Sequence, residues 1–346
     1  MRLTDLLDNG IPLGQLSGHR ERTGLTAVVD LDDPSVLDLG RLSRAVRGSG
    51  RIAIAVCRAE VSDSTAGVEE VFDLVLTRTA EVPGAVAVED IDAAVADLVD
   101  AIGRHPLAAY TLIRVLRAVP SLAIRDALAV ESAAYSMLLA GPEFAQWIER
   151  TPRSLPGQPH PTVRLSRVGD RLEIVLARPE RRNALSAAMR DELVAALELA
   201  VVDESITSVV LSGEGACFCS GGDLAEFGST PDVVTGHLVR TLRSPGLLLS
   251  EVANRAVCRT HGTCVGAGVE IPAFAGKVIA APATSFRLPE VSMGLIPGAG
   301  GTVSITRRIG RSRTAWLALT GRAIDATTAL RWGLIDGIDE GAPIVV

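Results

Sequence analysis

The chain has 346 residues, 34 basic and 41 acidic side chains, a formal charge of −7 and 47% hydrophobic residues. That suits one large or two modest globular domains. The acidic balance, with no basic run to neutralise phosphates, argues against a nucleic-acid partner.

No uncharged apolar stretch reaches the roughly 18 residues that a spanning helix needs, so no membrane is expected. Met1-Arg2-Leu3-Thr4-Asp5 lacks an apolar signal core, which suggests no export. The five cysteines (Cys57, Cys217, Cys219, Cys258 and Cys264) are odd in number and unpatterned. Cys217 and Cys219 form a C-x-C with no second pair at zinc spacing, so neither a metal nor a disulfide framework is expected. A reduced, cytoplasmic protein fits this usage.

In chain order, residues 25–80 carry strand signals at Thr26–Asp30, Ile52–Val56 and Phe72–Leu76. Residues 88–150 read as wholly helical. Ile91, Ala94, Leu98 and Ile102 recur at helical spacing, and a second helix runs from Leu122 to Leu139. The stretch Pro152–Pro161 holds four prolines in ten residues and reads as a linker. The expected divisions are an α/β piece at 1–81, a helical segment at 82–151, the linker at 152–161 and a core at 162–346.

Beyond the linker, strand and helix signals alternate. Val163–Leu165 and Leu172–Leu176 read as strands, followed by a turn at Arg178-Pro179-Glu180. Ser186 caps a helix whose Met189, Leu193 and Leu197 share one face. A buried strand at Ser208–Leu211, a Gly-rich loop, a helix across Val233–Val252 and a strand at Ala256–Arg259 follow. Gly266-Ala267-Gly268 then opens a helix, Lys277–Ala281 forms a strand, and the loop ending Ile296-Pro297-Gly298-Ala299-Gly300-Gly301 opens the last helices. This order is α/β, with loops at strand ends where sites concentrate.

Neither Gly-rich loop is a nucleotide fingerprint: one lacks the Lys-Ser/Thr of a P-loop, the other the third glycine of a dinucleotide turn. Both expose backbone N–H groups. Cys219-Ser220-Gly221-Gly222-Asp223 follows a buried strand, and Gly266-Ala267-Gly268 starts a helix whose first N–H groups are unpaired. Two such donors aimed at one point would form an oxyanion hole, each worth on the order of 10²–10³ in rate. The glycines serve tight turns equally well. Glu270 alone reads as a first-turn carboxylate, and Glu290, in the loop Phe286-Arg287-Leu288-Pro289-Glu290, as a solvated loop residue. As a pair beside two donor loops they suit general acid and base work.

At these residues the core resembles the crotonase superfamily of enoyl-CoA hydratases and isomerases. The matching stretches are Arg178-Pro179-Glu180-Arg181-Arg182-Asn183-Ala184-Leu185, Cys217 to Leu224, His261 to Glu270 and Leu288 to Thr302. The resemblance implies a ClpP/crotonase-like spiral of β-β-α units that takes an acyl-CoA thioester as substrate, without a further cofactor. It places the oxyanion hole on the N–H groups of Ser220 and Ala267, and the hydratase carboxylates on Glu270 and Glu290. Arg178, Arg181, Arg182, Gly222, Asp223, Leu224, Gly266 and Gly298 fall on substrate- or CoA-contacting positions. It further implies a homo-oligomer, a trimer or hexamer.

The reaction so implied is reversible hydration of a 2-enoyl-CoA. Isomerisation, other thioester-enolate chemistry and non-catalytic acyl-CoA binding are the alternatives. The family's terminal helices resemble residues 88–151 here, ahead of the core, and the 1–81 piece resembles a degenerate core. The expectation is a decayed tandem duplication whose helices cap the second core, against an unrelated helical domain.

Overall fold

The computed structural model describes residues 24–31, 39–58, 67–79, 83–151, 161–229 and 232–339. The N-terminal pentapeptide and positions 152–160 of the Pro-rich linker lie outside the described residues.

Strands β1 (Thr26–Asp30), β2 (Ile52–Cys57), β3 (Leu74–Thr77) and β4 (Val86–Ala87) form a parallel sheet in that order. All six residues of β2 and all four of β3 are buried, as their unbroken apolar runs require of a sheet covered on both faces. Helices α1 (Leu39–Gly48) and α2 (Val68–Val71) place Leu42, Val46 and Val68 against Ala53, Ala55 and Val75. Ile52, Ile54, Leu74 and Leu76 turn the other way and join the main core.

The helical segment comprises α3 (Ile91–Arg104), α4 (Pro106–Ala118), α5 (Ile124–Leu139) and α6 (Pro142–Arg150). Ile91, Ala94, Leu98 and Ile102 are all buried, as their spacing indicates. Asp90 caps α3 by accepting the Ala93 N–H.

The core contains two further sheets. The larger has the order β13-β10-β8-β7-β6-β5: β5 (Val163–Val168), β6 (Arg171–Leu176), β7 (Ser208–Gly213), β8 (Ala256–Thr260), β10 (Lys277–Ala280) and β13 (Gly337–Ile338). Only β5 runs antiparallel to its neighbour. The smaller sheet has β9 (Thr263–Val265) and β12 (Ile324–Asp325) flanking β11 (Ser285–Arg287). The chain therefore places β8 in the large sheet and β9 in the small one, then β10 and β11 likewise. This is a coil of two-strand turns closed by helices.

Ser186 caps α7 (Ala187–Val202) by accepting the Met189 N–H, and Met189, Leu193 and Leu197 are buried. The single helix expected over Val233–Val252 is two: α8 (Val233–Leu242) and α9 (Pro245–Glu251). Pro245 cannot continue the first helix, and Ser244 caps the second through the Leu247 N–H. The helix opened at Gly266 is one turn, α10 (Ala267–Glu270), because Pro272 follows closely. Helix α11 (Gly301–Thr320) kinks at Gly310, where φ is 81°. A short α12 (Ala326–Trp332) completes the core.

Helix α11 ties the parts together. Beyond its kink, Ser312 Oγ accepts the Val75 N–H of β3 at 2.9 Å, and Arg311 donates to the carbonyls of Glu70 and Phe72. Before the kink, α11 packs on α10 and α5.

Candidate active site

Glu270 ends α10 and is 2% exposed; Glu290 follows β11 and is half-buried. Their Oε1 atoms converge on Gly266. A Cβ there would stand 2.5 Å from Glu290 Oε1 and 3.7 Å from Glu270 Oε1. Gly266 also has φ +49°, so this position requires glycine for both conformation and space.

The two carboxylates are held differently. Glu270 Oε2 accepts the N–H groups of Ala299 and Gly301, both at 2.8 Å. A Cβ on Gly301 would meet Glu270 Cγ at 2.7 Å, so glycine permits that approach. Glu290 Oε2 is buried with no hydrogen-bond partner among the described residues. Burial pushes the Glu270 carboxyl up to about 7, against the pull of its N–H donors. Burial, and then the charge of Glu270, push Glu290 well above the ordinary carboxylate range.

Both face a cleft of about 220 Å³ whose lining includes Gly222, Asp223, Glu226, Phe227, Ala267, Gly298 and Ala299. The lining also includes Tyr135 and Leu139 of α5, Arg190 of α7 and Arg240 of α8. Phe227 packs on Trp147 of α6 at 6.1 Å between ring centroids, so α5 and α6 form part of the cleft's surroundings.

The structure corrects one donor. The Ser220 N–H already donates to Arg182 O at 3.0 Å, leaving it no free proton for a ligand. Two residues on, Gly222 bridges Leu185 through the groups of its neighbours: Leu185 N–H donates to Gly221 O, and Asp223 N–H to Leu185 O. The Gly222 N–H has no partner among the described residues, nor has that of Ala267, and both residues line the cleft.

Arg178 is likewise placed inside the protein. It is 4% exposed, pairs with Asp223 at 2.8 Å and donates to Ala184 O, so its guanidinium faces inward rather than toward a phosphate. Asn183 braces the same loop by accepting the Arg178 N–H and donating to the carbonyls of Glu214 and Cys217. Arg181 is half-buried near Asp223 and Arg182 is exposed, while Leu224 is 48% exposed. His261 Nε2 donates to Gly215 O at 2.9 Å, away from the carboxylates' hydrogen bonds.

Burial pushes the thiols of Cys219 and Cys258 up to about 12, so neither is a nucleophile at neutral pH. Among the described residues no cluster of three His, Cys, Asp or Glu side chains is placed to hold a metal. No described helix is long and apolar enough to cross a membrane.

Two contributors escaped the sequence reading. Glu131 of α5, 1% exposed, accepts the N–H groups of Gly300 at 2.8 Å and Thr302 at 2.9 Å. Tyr135 lies one turn further along. The available signal was a carboxylate on the face that α5 buries with Ala127 and Leu128, where an unpaired charge is costly.

The structure is an α/β coil that sets a carboxylate pair beside two N–H groups without a partner among the described residues. The model of the enoyl-CoA hydratase/isomerase family matches residues 171–344, and the chain belongs to that family. The 2,3-dehydroadipyl-CoA hydratase of Escherichia coli is 34% identical over 167 residues, covering 48% of this chain and 65% of that protein. The 1,2-epoxyphenylacetyl-CoA isomerase of the same organism is 33% identical over 170 residues, covering 47% and 64%. A solved enoyl-CoA hydratase from Bacillus anthracis aligns with a TM-score of 0.48 and 29% identity over 53% of this chain and 70% of that one. The chain spans a little under two thirds of the length of the curated relatives it matches.

Proposed function

We propose that this chain catalyses the reversible addition of water to a 2-enoyl-CoA thioester. The observation that carries the reading is the pair Glu270 and Glu290, converging at Gly266 beside the unpartnered N–H groups of Gly222 and Ala267.

The thioester oxygen would sit between those two N–H groups, which stabilise the charge it gains as the double bond is attacked. Glu270, favoured in its charged form by two N–H donors, takes a proton from water as the oxygen bonds to C3. Glu290, whose buried Oε2 has no donor, keeps its proton longer and delivers it to C2. Two carboxyls whose surroundings push them to different proton affinities divide base and acid in this way. The exposed Arg182, with Arg181 beside it, supplies the positive charge for CoA phosphates in this reading. The helices at 88–151 cover the cleft as the family's terminal helices do, and the working form is a homo-oligomer, a trimer or hexamer.

The test is hydration of crotonyl-CoA, followed by loss of the conjugated thioester absorbance. Glu270→Gln and Glu290→Gln should each lower kcat by about 10²-fold or more, in line with the usual worth of an acid or base. Turnover that survives both substitutions would remove the two-carboxylate mechanism. Retained CoA-ester binding without any turnover would favour a non-catalytic binder.

A further inference from the structure

The catalytic core does not by itself hold its base. Four successive N–H groups, at the loop that opens α11, are divided alternately between two carboxylates. Ala299 and Gly301 donate to Glu270, whereas Gly300 and Thr302 donate to Glu131. The Thr302 hydroxyl adds a bond to Glu131 at 2.6 Å. Glu131 lies on α5, outside the stretch that the family model covers.

We propose that Glu131 is a positioning residue for the reaction, fixing Glu270 through the loop whose N–H groups the two carboxylates share. The argument is geometric. Consecutive amides in one short loop cannot move independently, because each peptide is planar and only two dihedrals separate neighbours. Displacing Gly300 and Thr302 therefore displaces Ala299 and Gly301, the donors that aim Glu270. A misplacement on the order of 1 Å at a reacting group costs about 10²-fold in favourable cases.

The arrangement also places two acceptor carboxyls at the start of α11, where the helix's first N–H groups lack intrahelical partners. A simple cap would need only one carboxylate there. Two are present, both buried, and one belongs to the pair that faces the cleft. Ser304 further fixes the base by donating from its hydroxyl to Glu270 O at 2.7 Å.

The charged and titratable groups around Glu131 are few. Glu270 and Glu290 face it from the core, and Tyr135 lies on its own helix. From α8 come Arg240, stacked over the Tyr135 ring at 4.7 Å and bonded to Ser132, and His237, whose Nδ1 meets Ser132 Oγ at 3.0 Å. Arg240 and His237 thus engage the α5 backbone and hydroxyls, while among the described residues the groups bonded to the Glu131 carboxyl come from Gly300 and Thr302 at the start of α11. Burial and the neighbouring Glu270 raise the Glu131 carboxyl. The N–H groups of Ala299 and Gly301 favour the charged form of Glu270, so a variant that displaces their loop should move the ionisation of Glu270 to higher pH.

The inference rests on the hydratase reading for its kinetic arm, and the experiment separates the two. Glu131→Gln keeps the size of the side chain but turns an amide N–H₂ toward one of the two N–H donors, breaking that bond. On crotonyl-CoA it should lower kcat by about tenfold or more with KM held within about threefold, and its acid limb should move to higher pH as Glu270 loses its N–H donors. Thr302→Val, which removes only the hydroxyl bond, should move kcat the same way by less, and serves if the first variant fails to fold.

Amide hydrogen exchange over 298–302 supplies an arm that needs no turnover: it should quicken in both variants. A folded variant with unchanged kcat and unchanged exchange, whatever its melting temperature, overturns the inference and leaves Glu131 a stability cap. A change in KM alone also overturns it, by placing Glu131 in the pocket wall. A wild-type protein without turnover removes the hydratase reading, and the exchange arm still decides whether Glu131 holds the Glu270 loop.

Discussion

Asp73 in the N-terminal sheet and Glu290 in the cleft are both carboxylates with buried oxygens, yet their surroundings are opposite. Asp73, fully buried, accepts the Ala53 N–H at 2.8 Å and takes a two-pronged pair of bonds from Arg117, at 2.7 and 2.6 Å. Its charge is matched and its lone pairs are used. Glu290 Oε2 has no partner and shares its surroundings with Glu270. A matched buried ion pair fixes a structure, here joining α4 to β2 and β3. An unmatched carboxyl beside another is costly to the fold and useful to proton transfer.

The largest effect that would sharpen this contrast is on the N-terminal pair. Arg117→Ala leaves Asp73 buried and uncompensated, and should destabilise the protein by about 3–5 kcal/mol. Urea unfolding reads that loss directly, while kcat of the folded fraction should stay near wild type. A loss under about 1 kcal/mol would mean that water reaches Asp73, and the contrast with the cleft would fail.

The next effect has a sign fixed by the raised Glu290 carboxyl. Below its ordinary value near 4.5, folded and unfolded chains both hold the proton, so Glu290 imposes no ionisation cost. As pH rises beyond that value the unfolded chain loses the proton first, and wild-type stability falls until the folded carboxyl ionises too. Glu290→Gln escapes this loss. Its unfolding free energy relative to wild type should therefore rise by a margin that widens as pH climbs above the ordinary carboxylate value, reaching about 1–3 kcal/mol, the usual cost of an unsatisfied buried group. Parallel melting curves at all pH values would show Glu290 to be held as firmly as Asp73.

Much of this was legible in the chain. β1, β2, α3 and the Ser186 cap stand where apolar period and capping chemistry place them, because those signals are local. The carboxylate pair was legible too, through its neighbouring Gly-rich loops. The donor at Ser220 was not, since whether an N–H is free depends on which carbonyl the fold brings to it, and Arg182 O comes from 38 residues earlier in the chain. Arg178 failed for the same reason: Asp223 claims its guanidinium across the fold. Glu131 was hidden because its partners, Gly300 and Thr302, lie 169 and 171 residues away. No helix period reports what a buried carboxylate will meet.

The smallest effect tests the same contrast between matched and unmatched charge, now within one loop. Arg178 is paired inside with Asp223, whereas Arg182 stands exposed a few residues on. Arg182→Ala should raise KM for a CoA ester by only about three- to fivefold with kcat unchanged, since an exposed charge is screened, and the difference should shrink as salt is added. Arg178→Ala should instead lower stability, because it strands Asp223 at 5% exposure. If Arg178→Ala raised KM while leaving the unfolding transition in place, the guanidinium would have to swing out to the ligand. Arg178 would then belong with the groups that bind substrate, and its bond to Asp223 would be a resting contact.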